Sequence, residues 1–186
     1  VSARPAIFLD RDGTLNEAVG YLNHPSRLKL YPWSVEAVRT IRDEGYLAIL
    51  TTNQSGVARG LIAAEALEAV HAELRRILQE AGTPLDGIYC CPHGPGDGCE
   101  CRKPKPGLLR RAASELDVDL ARSWVVGDSL SDLEAAWSVG ARAALVRTGY
   151  GEGALQYQRK DWARNPDLVA PDLHRAVCAI FWGAID

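Results

Sequence analysis

The stretch IFLDRDGTLN, residues 7–16, decides the fold. Apolar residues run straight into two acids, Asp10 and Asp12, and a glycine follows at once. A short apolar run bounded by a turn signal reads as a buried strand. Carboxylates two residues apart at the end of such a strand repel each other unless a cation sits between them. Oxygen-only ligands suit Mg²⁺, which takes one or two carboxylates beside a phosphate oxygen and keeps several waters. Asp10, Asp12 and Asp128 are the candidate metal set. Asp10 is then placed to attack phosphorus, and Asp12 to carry protons to and from the leaving oxygen. The ordinary reading of an aspartate at a strand end is a turn or cap residue. The four fixed positions of D-x-D-G-T, however, coincide by chance only about once in 10⁵ under average residue usage.

Outward from this stretch the pattern alternates strands and helices. PAIFLD (5–10), YLAILTT (46–52), GIYCC (87–91), SWVVGD (123–128) and RAALVRT (142–148) are short apolar runs, and Leu168 to Ala170 forms a weaker extended segment. Between them, residues 33–44, 63–81, 106–117 and 130–140 read as helices, and a last helix spans about 172–182. Residues 149–166 read as irregular. Strands alternating with helices predict an α/β, Rossmann-like three-layer sandwich with a central parallel sheet and no large cap domain. Ligands of such sheets bind outside the carboxyl ends of the strands. Those ends carry Asp10 and Asp12, then Thr51, Thr52 and Asn53, then Cys91 and His93, then Asp128.

The chain has 186 residues and is read as a single domain, 1–186. With 47% hydrophobic and 24% charged residues and a net charge of −3, it matches an ordinary globular domain and not a nucleic-acid or membrane-surface binder. No apolar run reaches the roughly 18 residues of a membrane span. The N-terminal VSARPAIFLD lacks the apolar core of a secretory signal. A cytoplasmic monomer acting on a small molecule is expected, with no nucleic acid and no membrane as partner.

Four of the five cysteines lie between Cys90 and Cys101. In a reducing compartment, clustered thiols point to metal and not to disulfides. Cys91, His93, Cys99 and Cys101 supply three thiolates and one imidazole, the donor set of a closed tetrahedral zinc site. A closed site leaves no position for substrate, so Zn²⁺ in loop 91–101 is expected to be structural, stiffening the segment that delivers Arg102 and Lys103. Strand alternation should send Cys90 to the opposite side from Cys91, into the core. Cys178 is expected in the core as well. His24, His71 and His174 have no motif context and read as ordinary structural or surface residues.

DRDGT (10–14) resembles the first signature of the haloacid dehalogenase-like phosphohydrolases. LTTNQSG (50–56), CRKPKPG (101–107) and VVGDSLSD (125–132) resemble the second, third and fourth, in the right order. The resemblance covers residues 6 to about 148. It implies that Asp10 is nucleophile and metal ligand, and that Asp12 is general acid and base and reaches the metal through its backbone carbonyl. Thr52 would then hydrogen-bond the transferring phosphoryl group, Lys103 would neutralise it, and Asp132 would orient metal-bound water. Lys103 is preferred over Lys105 because it lies in the Arg-Lys-Pro string behind the cysteines. Thr52 is preferred over Thr51 because it directly precedes the Asn-Gln-Ser loop.

Within that superfamily the zinc loop resembles two groups. These are the D-glycero-D-manno-heptose 1,7-bisphosphate 7-phosphatases and the histidinol-phosphate phosphatases. TNQSGVARG (52–60) and the Pro-Gly ending of CRKPKPG are more similar to the first. A sugar bisphosphate needs a second anion contact, for which Arg102 can fork onto phosphate. Gly20, Tyr21, Asn53, Gln54 and Ser55 are the candidate residues closing over the sugar. The family often carries lysine directly after its metal aspartate, where this chain has Ser129. The reading from another class is a zinc-stabilised binding module that keeps the fold without catalysis.

Overall fold

The computed structural model describes residues 3–183. Its strands are β1 (Ala6–Leu9), β2 (Leu47–Asn53), β3 (Gly87–Cys91), β4 (Trp124–Gly127), β5 (Arg142–Val146) and β6 (Leu168–Ala170). They form one sheet in the order β3-β2-β1-β4-β5-β6, with every pairing parallel. The main helices are α1 (Ser34–Asp43), α2 (Ala64–Glu80), α3 (Gly107–Leu116), α4 (Leu130–Ser138) and a C-terminal helix, Leu173–Trp182.

Both faces of the sheet are covered, which is why its strands read as unbroken apolar runs. Ile7, Leu9, Ala48, Leu50 and Val126 pack against α1, α2 and the C-terminal helix through Val38, Ile41, Val70, Leu74, Leu173 and Val177. Their chain neighbours Ala6, Phe8, Leu47, Ile49 and Val125 point the other way, against Leu108, Leu109 and Ala112 of α3 and Leu133 and Ala136 of α4. Phe8 is fully buried, and such a side chain contributes about 1.5–3 kcal/mol through its removal from water. The connection 10–33 between β1 and α1 contains a 3₁₀ turn at Pro25–Arg27. Among the described residues no cap domain stands over the sheet.

The strand order reverses beside β1, since β2 lies on one side of it and β4 on the other. Ligands of open parallel sheets bind at such a switch point. Leu9 pairs with Val126, and the Asp10 N–H donates to the Val126 carbonyl at 3.0 Å. Asp10 and Asp128 therefore leave adjacent strands at the same level.

Two expectations need correction. The segment 149–166 is not irregular throughout. It holds a helical turn at Gly151–Gly153, a π-helical turn at Ala154–Gln158 and a 3₁₀ turn at Arg159–Asp161. Its three glycines and its lack of apolar periodicity hid these turns. Cys90 does lie on the opposite face of β3 from Cys91, but it is only partly buried and belongs to neither apolar core. The reason is that β3 is an edge strand, so the packing there is incomplete. Cys178 is buried in the C-terminal helix. The single-domain reading extends over residues 1–2 and 184–186, which lie outside the described residues.

Candidate active site

The chain turns sharply after β1. Leu15 and Asn16 both donate their N–H to the Arg11 carbonyl at 3.0 Å, and the Gly13 N–H reaches the Asn16 carbonyl at 2.7 Å. Gly13 has φ +83°, a left-handed conformation that glycine adopts without strain. A Cβ on Gly13, or on Gly149 across from it, would run into the Asp128 carboxylate. Two bare glycines thus leave room for that acid, and the Tyr150 N–H donates to its Oδ2 at 2.8 Å.

Lys103 enters from the loop before α3 and is almost fully buried. Its Nζ donates to Asp10 Oδ1 at 2.8 Å, to Asp132 Oδ1 at 2.6 Å and to the Thr51 carbonyl at 2.8 Å. Burial disfavours the ammonium, but Asp10 and Asp132 outweigh it, and its pKa lies above the usual lysine range. Lys105 is exposed and bonds Glu100 instead. Asn53 fixes the Lys103 backbone from both sides. Its Nδ2 donates to the Lys103 carbonyl at 3.0 Å, and its Oδ1 accepts from the Lys103 N–H at 3.1 Å.

Carboxylate oxygens of Asp10, Asp128 and Asp132 lie within 4.8 Å of one another. Burial, only partly offset by Lys103, raises Asp10 to about 6. Burial and then the charges of Asp10 and Asp132 raise Asp128 to about 8. Three carboxylates against one ammonium leave two negative charges, which one divalent cation would balance. An all-oxygen donor set beside an open cleft fits Mg²⁺. The fourth acid, Asp12, is not part of this cluster, and its carboxylate is held by other donors. Arg11 Nη2, Asn16 Nδ2 and Gln54 Nε2 donate to it at 2.8, 3.0 and 2.9 Å. Only the backbone carbonyl of Asp12 is left for the metal role that the sequence resemblance implies. Asp132 has both oxygens engaged, the second with the Ser129 hydroxyl at 2.6 Å in the capping box that opens α4.

A cleft of about 510 Å³ opens over these groups. It is lined by Asp10, Asp12, Thr52, Lys103 and Asp128, by Gly20, Tyr21, Asn53, Gln54, Ser55 and Arg102, and by Gly56, Ser129, Ser131 and Tyr150. The fold thus brings every residue expected around the phosphate and the sugar to one rim. Thr52 is on the cleft and Thr51 is not. Gln54 Nε2 also reaches Thr52 Oγ1 at 2.8 Å, so it links Thr52 to Asp12. The lining residues that sequence reasoning passed over are Gly56, Ser131 and Tyr150. Tyr150 acts on Asp128 through its backbone, which carries no sequence signal. Arg11, which forks onto Asp12, was also passed over, and His71, read as an ordinary structural or surface residue, lies against Arg11.

The cysteine loop forms a second cluster, with the donor atoms of Cys91, His93, Cys99 and Cys101 within 4.8 Å of one another. Cys91 Sγ lies 3.7 Å from Cys99 Sγ, 3.1 Å from Cys101 Sγ and 3.6 Å from His93 Nδ1. A zinc tetrahedron with Zn–S near 2.3 Å has edges of about 3.8 Å, so the spacing fits that ion. All five thiols are free, and burial pushes the Cys91 thiol far above its ordinary value.

Comparison with known proteins matches this architecture to named relatives. The family model described as HAD-hydrolase-like matches residues 100–176. The D-glycero-beta-D-manno-heptose-1,7-bisphosphate 7-phosphatase of Pseudomonas putida is 45% identical over 151 residues, covering 81% of this chain and 86% of that protein. The enzyme of the same name from Yersinia pestis is 39% identical over 184 residues, covering 94% and 96%. The chain belongs to the heptose bisphosphate 7-phosphatase family. The crystal structure of the family's B. bronchiseptica member, D,D-heptose 1,7-bisphosphate phosphatase complexed with magnesium and phosphate, superposes with a TM-score of 0.87. It is 38% identical, and the match covers 97% of this chain and 99% of that one.

Proposed function

We propose that this chain is a Mg²⁺-dependent phosphatase that removes the 7-phosphate of D-glycero-D-manno-heptose 1,7-bisphosphate through an aspartyl-phosphate on Asp10. The observation that carries the reading is the buried cluster of Asp10, Asp128, Asp132 and Lys103 at the switch point. Bound between Asp10, Asp128 and the Asp12 carbonyl, Mg²⁺ supplies positive charge for the phosphoryl oxygens. Lys103 holds Asp10 in place and offsets charge on the transferring group, and the Thr52 hydroxyl adds a hydrogen bond. Asp10 attacks phosphorus while the bond from phosphorus to the sugar oxygen breaks, and Asp12, having first taken up a proton from solvent, gives that proton to the departing oxygen. Asp12 then takes a proton from the water that attacks the acyl phosphate, and Asp10 leaves as carboxylate. Arg102, at the rim, receives the phosphate that stays on the sugar. Gly20, Tyr21, Asn53, Gln54 and Ser55 bound the sugar.

The reading extends to the rest of the chain. Zn²⁺ held by Cys91, His93, Cys99 and Cys101 stiffens the loop leading into Arg102 and Lys103. One sheet with two covered faces supports residues 1–186 as one domain. Free thiols in a metal-ligand arrangement support a cytoplasmic setting, and the protein is taken as a monomer with a small-molecule substrate. Among the described residues no helix is long and apolar enough to cross a membrane.

Phosphate release from a panel tests the function. The panel is both anomers of the heptose bisphosphate, histidinol phosphate and fructose 1,6-bisphosphate, each assayed with Mg²⁺. The heptose bisphosphate should have the highest kcat/KM. A preference for histidinol phosphate would overturn the substrate, and no turnover of any member would favour a binding module.

A further inference from the structure

Arg11 lies between the two acids of the first motif, and its side chain is fully buried. Its guanidinium forks onto Asp12, with Nε donating to Oδ1 at 3.2 Å and Nη2 to Oδ2 at 2.8 Å. Neighbouring residues of an extended chain point apart, and only the turn at 11–16 folds this pair together. The remaining arm, Nη1, lies 3.3 Å from Nε2 of His71. His71 sits on α2, next to the fully buried Val70 and one turn from the fully buried Leu74, and is itself 1% exposed.

We infer that His71 is a positioning residue for the reaction, holding the Arg11 fork so that the Asp12 carboxylate keeps its orientation toward the leaving oxygen. The inference rests on the reading of Asp12 as proton carrier. A guanidinium has only donors, so His71 Nε2 must accept and its proton must sit on Nδ1. Glu68 Oε1 lies 3.8 Å from that Nδ1. Burial, then Arg11 and Arg75, lower the His71 pKa to about 4, which agrees with a neutral ring. A two-bond fork fixes the plane of a carboxylate relative to the guanidinium, and Asn16 and Gln54 hold the Asp12 end of the pair, but without a further partner the guanidinium end could still swing on the arginine stem. The third anchor joins the guanidinium to a packed helix and removes that freedom. His71 touches neither the cleft nor the acid cluster.

The test compares His71→Phe, which fills the space without accepting, with His71→Gln, whose Oε1 can accept from Arg11. Proton transfer occurs in the transition state and not in ground-state binding, so a misplaced Asp12 lowers kcat and leaves KM alone. With heptose bisphosphate and Mg²⁺, H71F should lose about 10- to 100-fold in kcat, with KM within about 2-fold. H71Q should recover to within about 3-fold of the parent. Asp12→Asn is run in parallel. If D12N is inactive and folded H71F turns over like the parent, or if H71Q is as slow as H71F, the inference fails while the role of Asp12 stands. If D12N keeps its activity, the role of Asp12 fails and takes the inference with it. A second measurement needs no variant. Long-range ¹H–¹⁵N correlation on the unmodified protein at pH 7 should find His71 neutral with its proton on Nδ1. A proton on Nε2 overturns the inference whatever the fate of H71F.

Discussion

In magnesium-free protein, Asp128→Asn should remove a fall in stability with rising pH. Burial, and then Asp10 and Asp132, raise the Asp128 carboxyl from 3.8 to about 8. Between those values the folded chain holds a proton that the unfolded chain has released. Stability from this group is therefore full below about pH 4 and declines as pH rises toward 8. The slope is about 1.4 kcal/mol per pH unit for one proton. Asp10, raised to about 6, adds to the decline between about pH 4 and 6. From pH 6 to 7.5 His71, lowered to about 4, adds an opposite change that is common to both proteins, so the difference between them isolates Asp128, and the parent should lose on the order of 2 kcal/mol relative to D128N. For a chain of this size that is a relative change of about 4–8 °C in Tm. The assay is thermal denaturation followed by circular dichroism in magnesium-free buffer. Chelator is left out, because it would also strip an ion from the cysteine cluster. Added Mg²⁺ should restore the parent at pH 7.5 and leave D128N unmoved. Stability profiles that run parallel from pH 6 to 7.5, with the same response to Mg²⁺, would refute the reasoning that unbalanced carboxylates await a divalent cation.

Asp10→Asn should abolish turnover without lowering Tm by more than a few degrees, since it removes the nucleophile and relieves carboxylate repulsion; residual activity above about 1% would reassign the nucleophile. Elemental analysis should find about one zinc per chain, and Cys99→Ser should lower zinc content, Tm and kcat together. A zinc-free protein with full activity would exclude a structural ion there. Arg102→Ala should cut kcat/KM for the bisphosphate by about 10- to 150-fold, from the roughly 1.5–3 kcal/mol of a charge-assisted contact. Hydrolysis of a sugar monophosphate should change only a few-fold, and an equal loss on both would place Arg102 at the reacting phosphate.

Residues whose position follows from strand periodicity were legible in the sequence. Asp10, Thr52 and Asp128 each follow an apolar run, and a parallel sheet brings such ends to one rim whatever the helices between them do. Thr52 was preferred over Thr51 because it directly precedes the Asn-Gln-Ser loop, and it is Thr52 that lines the cleft. The cysteine cluster was legible because its spacing leaves few other uses for three thiols and an imidazole. Arg11 and His71 were not legible. Nothing in D-R-D says that the middle residue folds back onto the third, because that depends on a turn closed by backbone hydrogen bonds. His71 falls at a helical position that an apolar residue would fill equally well. The helical turns at 151–161 were missed for the opposite reason, since packing on the sheet holds a segment whose own propensity is poor.

Why the chain tolerates so many acids in so small a space follows from how each is matched. Asp12 is neutralised by Arg11 and hydrogen-bonded by Asn16 and Gln54, so it adds little to the repulsion of the others. Lys103 stands between Asp10 and Asp132 and has no partner to spare for Asp128. Asp128 is left with one backbone N–H, from Tyr150. The unmatched charge is therefore concentrated where Asp10 and Asp128 face each other, at the open side of the cluster. A cation entering from the cleft meets it there, beside Asp10. The repulsion built into the first motif is thus divided, with Asp12 matched by Arg11, Asn16 and Gln54 and the charge at Asp10 left open to the cleft.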